Sequence, residues 1–181
     1  METENKAVLI SIKPKWCELI ASGKKTIEVR KTKPKLKPPF KCYIYCTKPR
    51  EKIFYHGEYY NDLLYKDFWS DELLCGCTMG DALNGKVIGE FVCDRIDTID
   101  IIDDPVMTYI RVNQLSQHPD ICITAETCLN INQLQRYLND KKGNGWHISD
   151  LKIYDEPIEL SGFGLTRPPQ SWCYVEEVES L

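Results

Sequence analysis

The residues best suited to chemistry lie within one short run, Gly23-Lys24-Lys25-Thr26-Ile27-Glu28-Val29-Arg30. Alternation along a strand puts Glu28 and Arg30 on one face and Ile27 and Val29 on the other. A guanidinium beside a carboxylate can grip a phosphate or a base edge with its planar fork. The carboxylate then orients the fork or accepts from an exocyclic amine. Lys25 and Thr26 enter from the turn before the strand, where parity does not fix a direction. A lysine held next to such a pair could act as a base. The plain alternative is a Glu28–Arg30 surface pair worth ~0–1 kcal/mol, with Lys25 in solvent.

Other candidates flank this run. Ser11 and Lys13 precede a helix opened by Pro14, a residue whose missing N–H costs nothing there. Lys13 and Lys15 oppose the helix dipole; they are either phosphate contacts or solvated lysines. Trp16 reads as core. Trp146 follows a glycine turn, where it either stacks on a base or fills the core. His147, next to it, is a polar contact or a structural histidine.

The elements that must position these residues are mostly strands. Val8–Ile12 is a short apolar strand, and Trp16, Leu19 and Ile20 give the following helix a buried stripe. Gly23 suits the left-handed residue that ends a helix. Thr26–Lys31 is a second strand, 33–39 a basic, proline-rich connection, and Phe40–Cys46 a half-buried alternating strand. Val87–Cys93 and Ile96–Ile102 form the longest β-rich stretch. Residues 105–130 carry no clear pattern. Asn130 with Gln133 resembles a capping box for a helix to about Lys141, with Leu134, Tyr137 and Leu138 on its buried side. Residues 142–145 read as a turn, 146–154 as a strand, 155–157 as a turn, and 172–178 as a last strand. Helices do not alternate with strands, so a doubly wound sheet is excluded. An α+β, mainly β fold is expected, a small barrel with helices at its rim.

Composition sets the broad class. The chain has 181 residues, 43% hydrophobic and 28% charged, as in soluble globular proteins. One domain over 1–181 is expected, and no apolar run approaches a membrane span. The acidic, polar start is unlike a secretory or transit segment, so a cytoplasmic protein is expected. The nine cysteines then read as reduced thiols. Cys42 and Cys46, and Cys75 and Cys77, lack the CxxC spacing of structural zinc sites, so neither metal nor cofactor is expected. Residues 1–50 carry a net +9 and residues 51–181 a net −13. That asymmetry suggests a cationic face for an anionic partner. Seven of the nineteen aromatics fall between Phe54 and Trp69. They form a stacking wall or pack a small core of their own, and as an exposed apolar patch they would suit a protein-interaction domain.

Gly23, Lys25, Glu28 and Arg30 match, position by position, the Gly-x-Lys-x-x-Glu-x-Arg motif of the ASCH family, within the PUA-like β-barrel class. Ile10-Ser11-Ile12-Lys13-Pro14 and Trp146-His147-Ile148-Ser149 resemble a bacterial and phage branch of that family. The resemblance covers about 7–47, 86–100 and 145–178, leaving 48–85 and 103–144 as insertions. It implies binding of RNA or a modified nucleoside in a cationic cleft lined by Lys25, Thr26, Glu28 and Arg30, with Ser11, Lys13 and Trp146 assisting. Some small members are amidohydrolases acting on N4-acetylcytidine with a Lys, a Thr and a Glu. Lys25 matches their lysine, while Glu28 stands where their threonine would be. A hydrolase acting on an acylated nucleoside or on RNA, with Lys25 and Glu28 catalytic, is therefore the rival the resemblance implies.

Overall fold

The structure, a computed structural model, describes residues 6–48, 83–103, 105–113, 120–139 and 142–178. The aromatic stretch 54–69 and the Cys75/Cys77 pair lie outside these residues. The chain groups into two compact units, one of Met1–Ser22, Lys41–Phe91 and Leu151–Leu181, the other of Gly23–Phe40 and Val92–Asp150.

The first unit carries a five-stranded sheet. Its strands are β1 (Lys6–Ile12), β3 (Phe40–Cys46), β4 (Lys86–Cys93), β8 (Ser149–Glu159) and β9 (Trp172–Glu176), in the order β8-β4-β3-β1-β9. β1 runs parallel to β3 and antiparallel to β9. Such a parallel pair needs a crossover connection, and the chain between β1 and β3 includes α1 (Pro14–Ala21). Pro14 opens α1, and its buried residues are Pro14, Cys17 and Ile20. Cys17 thus takes the stripe position expected of Trp16 and Leu19, which are only half-buried. Gly23 is left-handed at φ 72° just past the helix, as its position suggested. Ala7, Leu9, Tyr43, Tyr45, Val87, Leu160, Phe163 and Val175 form this unit's core.

The second unit carries a four-stranded sheet of β2 (Ile27–Arg30), β5 (Ile96–Asp103), β6 (Thr108–Val112) and β7 (Gly143–His147), in the order β2-β7-β5-β6. Two helices, α2 (Asp120–Thr127) and α3 (Ile131–Leu138), complete it. Ile27, Val29, Ile99, Ile110 and Val112 from the sheet meet Ile123, Leu134 and Leu138 from the helices in one apolar cluster. The capping box is present: Gln133 N–H donates to Asn130 Oδ1 at 2.9 Å, and Asn130 N–H to Gln133 Oε1 at 3.0 Å. Leu134 and Leu138 are fully buried, whereas Tyr137, expected beside them, is 40% exposed.

The mainly β architecture with few helices is the expected one, with the described strands pairing as two sheets of five and four. Two expected turns are strand instead. Residues 143–145 belong to β7, because their glycines mark close approach rather than chain reversal. A Cβ on Gly143 would sit 2.6 Å from Leu138 Cδ2, and one on Gly145 would sit 3.0 Å from Ile27 Cγ2. Residues 155–157 lie inside β8, an edge strand, where Pro157 removes no ladder bond that the sheet needs. In the stretch 105–130 the chain forms β6 and α2.

Candidate functional site

The short strand β2 is buried along its whole length. Its antiparallel register with β7 sets Ile27 against His147, Glu28 against Trp146, Val29 against Gly145 and Arg30 against Asn144. Directly opposed residues share a face. One face therefore presents Glu28, Arg30, Trp146 and Asn144, and the other presents Ile27 and Val29 to the apolar cluster. The alternation read from sequence holds, but its polar face is not a solvent face.

On that face three charges converge. Glu28 Oε1 lies 2.9 Å from Arg30 Nη2, and Glu28 Oε2 lies 3.3 Å from Lys25 Nζ. Side-chain exposure is 2% for Lys25, 8% for Arg30 and 9% for Glu28. The three groups form a cation–anion–cation chain that is nine-tenths removed from water, so the surface-pair alternative does not describe them. Placing ions there carries a desolvation cost that only close pairing and hydrogen bonds offset.

Lys25 is fixed from a second direction. Its ammonium donates to the carbonyl of Thr127 at 2.7 Å, and Thr26 N–H donates to the carbonyl of Glu126 at 2.9 Å. These are the last carbonyls of α2, which a helix leaves without internal partners. A lysine charge there also complements the helix dipole. The turn Lys24–Thr26 thus ties the end of α2 to the start of β2. Sequence reading misses this contact because the acceptor is a backbone atom 102 residues away, which leaves no side-chain signal.

Around the charges stand groups of mixed character. Asn144 Nδ2 donates to the carbonyls of Arg30 at 3.3 Å and Lys31 at 3.2 Å. Trp146 is fully buried, with Phe40 packed edge-on at 5.9 Å between ring centroids; this is the core position weighed against base stacking. The Tyr137 hydroxyl is raised above its ordinary range by burial, with Arg30 pulling it down and Glu28 pushing it up. Lys31 Nζ sits 5.4 Å from the Tyr137 ring, a cation–π distance. His147 Nδ1 pairs with Asp94 Oδ1 at 2.7 Å. Ser11 and Lys13 belong to the first unit. Ser11 is buried and its hydroxyl donates to the carbonyl of Pro169 at 2.7 Å, while Lys13 is exposed. Thus the second unit gathers Lys25, Thr26, Glu28, Arg30 and Trp146 of the expected set.

The described cysteines Cys17, Cys42, Cys46, Cys93, Cys128 and Cys173 are free thiols. Among the described residues no group of three His, Cys, Asp or Glu side chains is arranged to hold a metal. No described helix is long and apolar enough to cross a membrane.

The ASCH domain family model matches residues 10–78, a stretch that contains the whole Lys25–Arg30 run. The match runs on through residues 48–78, within the stretch 48–85 that the resemblance leaves as an insertion. Among solved structures, the ASCH protein of Zymomonas mobilis is 21% identical, with a TM-score of 0.59 over 96% of this chain and 90% of that one. A serine-to-alanine variant of the Zymomonas protein gives 18% identity and a TM-score of 0.57, covering 96% and 91%. A tyrosine-to-phenylalanine variant gives 18% and 0.56, covering 94% and 91%. At these identities the likeness shows a fold shared with the Zymomonas protein. Comparison with curated proteins gives no match.

Proposed function

We propose that this chain is an ASCH-type protein that binds RNA or a modified nucleoside through Lys25, Thr26, Glu28 and Arg30. The observation that carries the reading is the convergence of two cations on one carboxylate in a site that is nine-tenths buried. Replacing such a group by well-packed apolar side chains is often neutral or stabilising, so stability alone gives little reason to keep it. Glu28 holds the guanidinium of Arg30 in a fixed plane, the form in which an arginine recognises a phosphate or a base edge. The chain that leaves Arg30 adds Lys31, Lys33, Lys35 and Lys37, all exposed. These can draw a polyanion toward the strand end and give its binding a salt dependence.

The test is the anisotropy of a labelled single-stranded RNA titrated at several salt concentrations. The wild-type chain should bind with an affinity that falls as salt rises. Arg30→Ala, Lys25→Ala and the exposed double variant Lys33→Gln/Lys35→Gln should each bind more weakly and with a shallower slope, by about 0.7 for every phosphate no longer neutralised on a single strand. The exposed pair keeps the test informative where a buried variant fails to fold. Folded variants with wild-type affinity and slope would remove the site from consideration.

A second reading, hydrolysis of an acyl group from a nucleoside, is favoured by the depth of Lys25 and its 3.3 Å contact with Glu28. It predicts turnover of N4-acetylcytidine by the wild-type chain and none by folded Lys25→Ala. A wild-type chain without turnover ends that reading for this substrate.

A further inference from the structure

The C-terminal end of α2 holds the turn before β2 by three contacts. Lys25 Nζ donates to the Thr127 carbonyl at 2.7 Å, Thr26 N–H to the Glu126 carbonyl at 2.9 Å, and Cys128 Sγ to the Lys24 carbonyl at 3.4 Å. This seam is a row of hydrogen bonds rather than an apolar contact. Among the described α2 side chains, Ile123 enters the apolar cluster. Thr127 is fully buried, but its hydroxyl donates to the Ile123 carbonyl at 2.7 Å and accepts from Leu129 N–H at 3.3 Å. It therefore closes the helix end on itself and adds nothing to the seam.

Beside the seam, α2 stands clear of the sheet. An open hollow of about 290 Å³ is lined by Ile123 and Glu126 from the helix and by Ile27 and Val112 from the strands. Protein interiors leave few voids larger than a water, so the helix has room to shift on this side. The residue at its end is strained. Both helices of the unit end on a left-handed residue at φ 55°, Cys128 after α2 and Asn139 after α3. Asparagine tolerates that conformation through its short polar side chain. Cysteine does not, and the penalty corresponds to about fivefold or more in an equilibrium constant. Strain kept beside a functional group points to a segment with a second position.

We propose that the end of α2 is a latch on Lys25, hinged at Cys128. Seated, it takes the ammonium on the Thr127 carbonyl and keeps it from an incoming anion. Lifted, it gives up the contacts with Lys24, Lys25 and Thr26 together and turns the ammonium over to that anion. Glu28 and Arg30 do not move with it, because Ile27 and Val29 hold β2 in the apolar cluster. The latch regulates access to Lys25 whatever anion binds there, so it does not depend on the RNA reading of the cluster.

The test compares Cys128→Gly with Cys128→Val in the full chain. Both lose the thiol contact; glycine favours the left-handed hinge, and a β-branched residue opposes it. Brief treatment with acetic anhydride, read by mass spectrometry, reports access to Lys25, with the exposed Lys33 as reference. Amide exchange at Thr26 reports the seam. Exchange at Leu134, whose N–H is bonded to the Asn130 carbonyl at 3.0 Å, reports the rest of the unit. Lys25 should acylate about fivefold or more faster in Cys128→Val than in Cys128→Gly. Thr26 should exchange faster by the same factor, with Leu134 unchanged, and wild-type Lys25 should acylate more slowly than Lys33. Cys128→Ala, which opposes the hinge less, carries the comparison if Cys128→Val does not fold. Equal acylation across the variants, or wild-type Lys25 as fast as Lys33, would overturn the proposal. So would Thr26 and Leu134 shifting together, since α2 would then lift only when the whole unit opens. None of these readouts involves RNA, so the latch and the RNA reading fail separately.

Discussion

Glu28→Gln is the sharpest perturbation of the charged cluster, because it removes one charge and almost no volume. In the wild-type chain the carboxylate lies 2.9 Å from Arg30 Nη2 and 3.3 Å from Lys25 Nζ. At an effective dielectric of ~20 each contact is worth about 5 kcal/mol of attraction. That attraction is not what an experiment reads, because removing three ions from water offsets most of it. The experiment reads the state left behind, in which two buried cations face a neutral amide. Breaking a buried pair in this way costs about 3–5 kcal/mol. Urea unfolding, with an unchanged m-value to show that the unfolded state is the same, measures that loss. The triple variant Lys25→Met/Glu28→Leu/Arg30→Met supplies the opposing arm. Removing all three charges recovers the desolvation cost, while the Thr127 carbonyl loses its donor at about 1–3 kcal/mol. The triple variant should therefore be nearer the wild type than the single one. A loss below about 1 kcal/mol for Glu28→Gln would refute the reasoning, since it would mean that the three groups meet in water.

Two further expectations concern the scaffold. Burial, opposed in part by backbone hydrogen bonding at Arg95, pushes the Cys93 thiol up to about 12 from its ordinary 9.0; it should therefore resist alkylation in the native chain at pH 8. Between pH 9 and 12 the unfolded thiol has lost its proton and the folded one has not, so stability should fall with rising pH by up to about 1.4 kcal/mol per unit. Cys93→Ala should remove that share of the slope and leave the share of the buried tyrosines, such as Tyr154 and Tyr43, whose hydroxyls burial also pushes up. Gly89→Ala should cost about 1–3 kcal/mol in thermal or urea unfolding. Its Cβ would lie 2.5 Å from the Lys152 carbonyl oxygen and 3.1 Å from Ile153 Cα, backbone atoms that cannot swing aside; a neutral result would mean that β4 and β8 are farther apart.

Much of the strand pattern is legible from the chain, because alternation and caps are local signals. Phe40–Cys46 runs as read, the break at Asp94-Arg95 separates β4 from β5, and Asn130 with Gln133 caps α3. The misreadings share a cause. Gly143 and Gly145 resemble turn residues, yet they are strand residues whose missing side chains make room for Leu138 and Ile27. Pro157 looks like a strand breaker, yet at a sheet edge nothing needs its N–H. In each case a tertiary neighbour decides, and the neighbour is invisible in a local window. The site divides in the same way. Spacing along β2 puts Glu28 and Arg30 side by side, but the burial of both and the docking of Lys25 on the end of α2 depend on partners from 102 to 118 residues away.

The two faces of β2 place the charges and the core under a single constraint. Ile27 and Val29 enter the apolar cluster with Ile123, Leu134 and Leu138. Because side chains alternate, a slip of one residue would carry Glu28 into that cluster and move Ile27 and Val29 to the charged face. The free energy of burying the aliphatic side chains, about 1.5–3 kcal/mol each, therefore holds Glu28 and Arg30 in register without any contribution from the ion pairs. Lys25 stands outside this alternation, in the preceding turn, and needs its own anchor. The carbonyls of Glu126 and Thr127 provide it by taking Thr26 N–H and the Lys25 ammonium. The cluster is thus held by two independent supports, the core face of β2 and the end of α2. That is how a four-residue strand can keep two cations within 3.3 Å of one carboxylate.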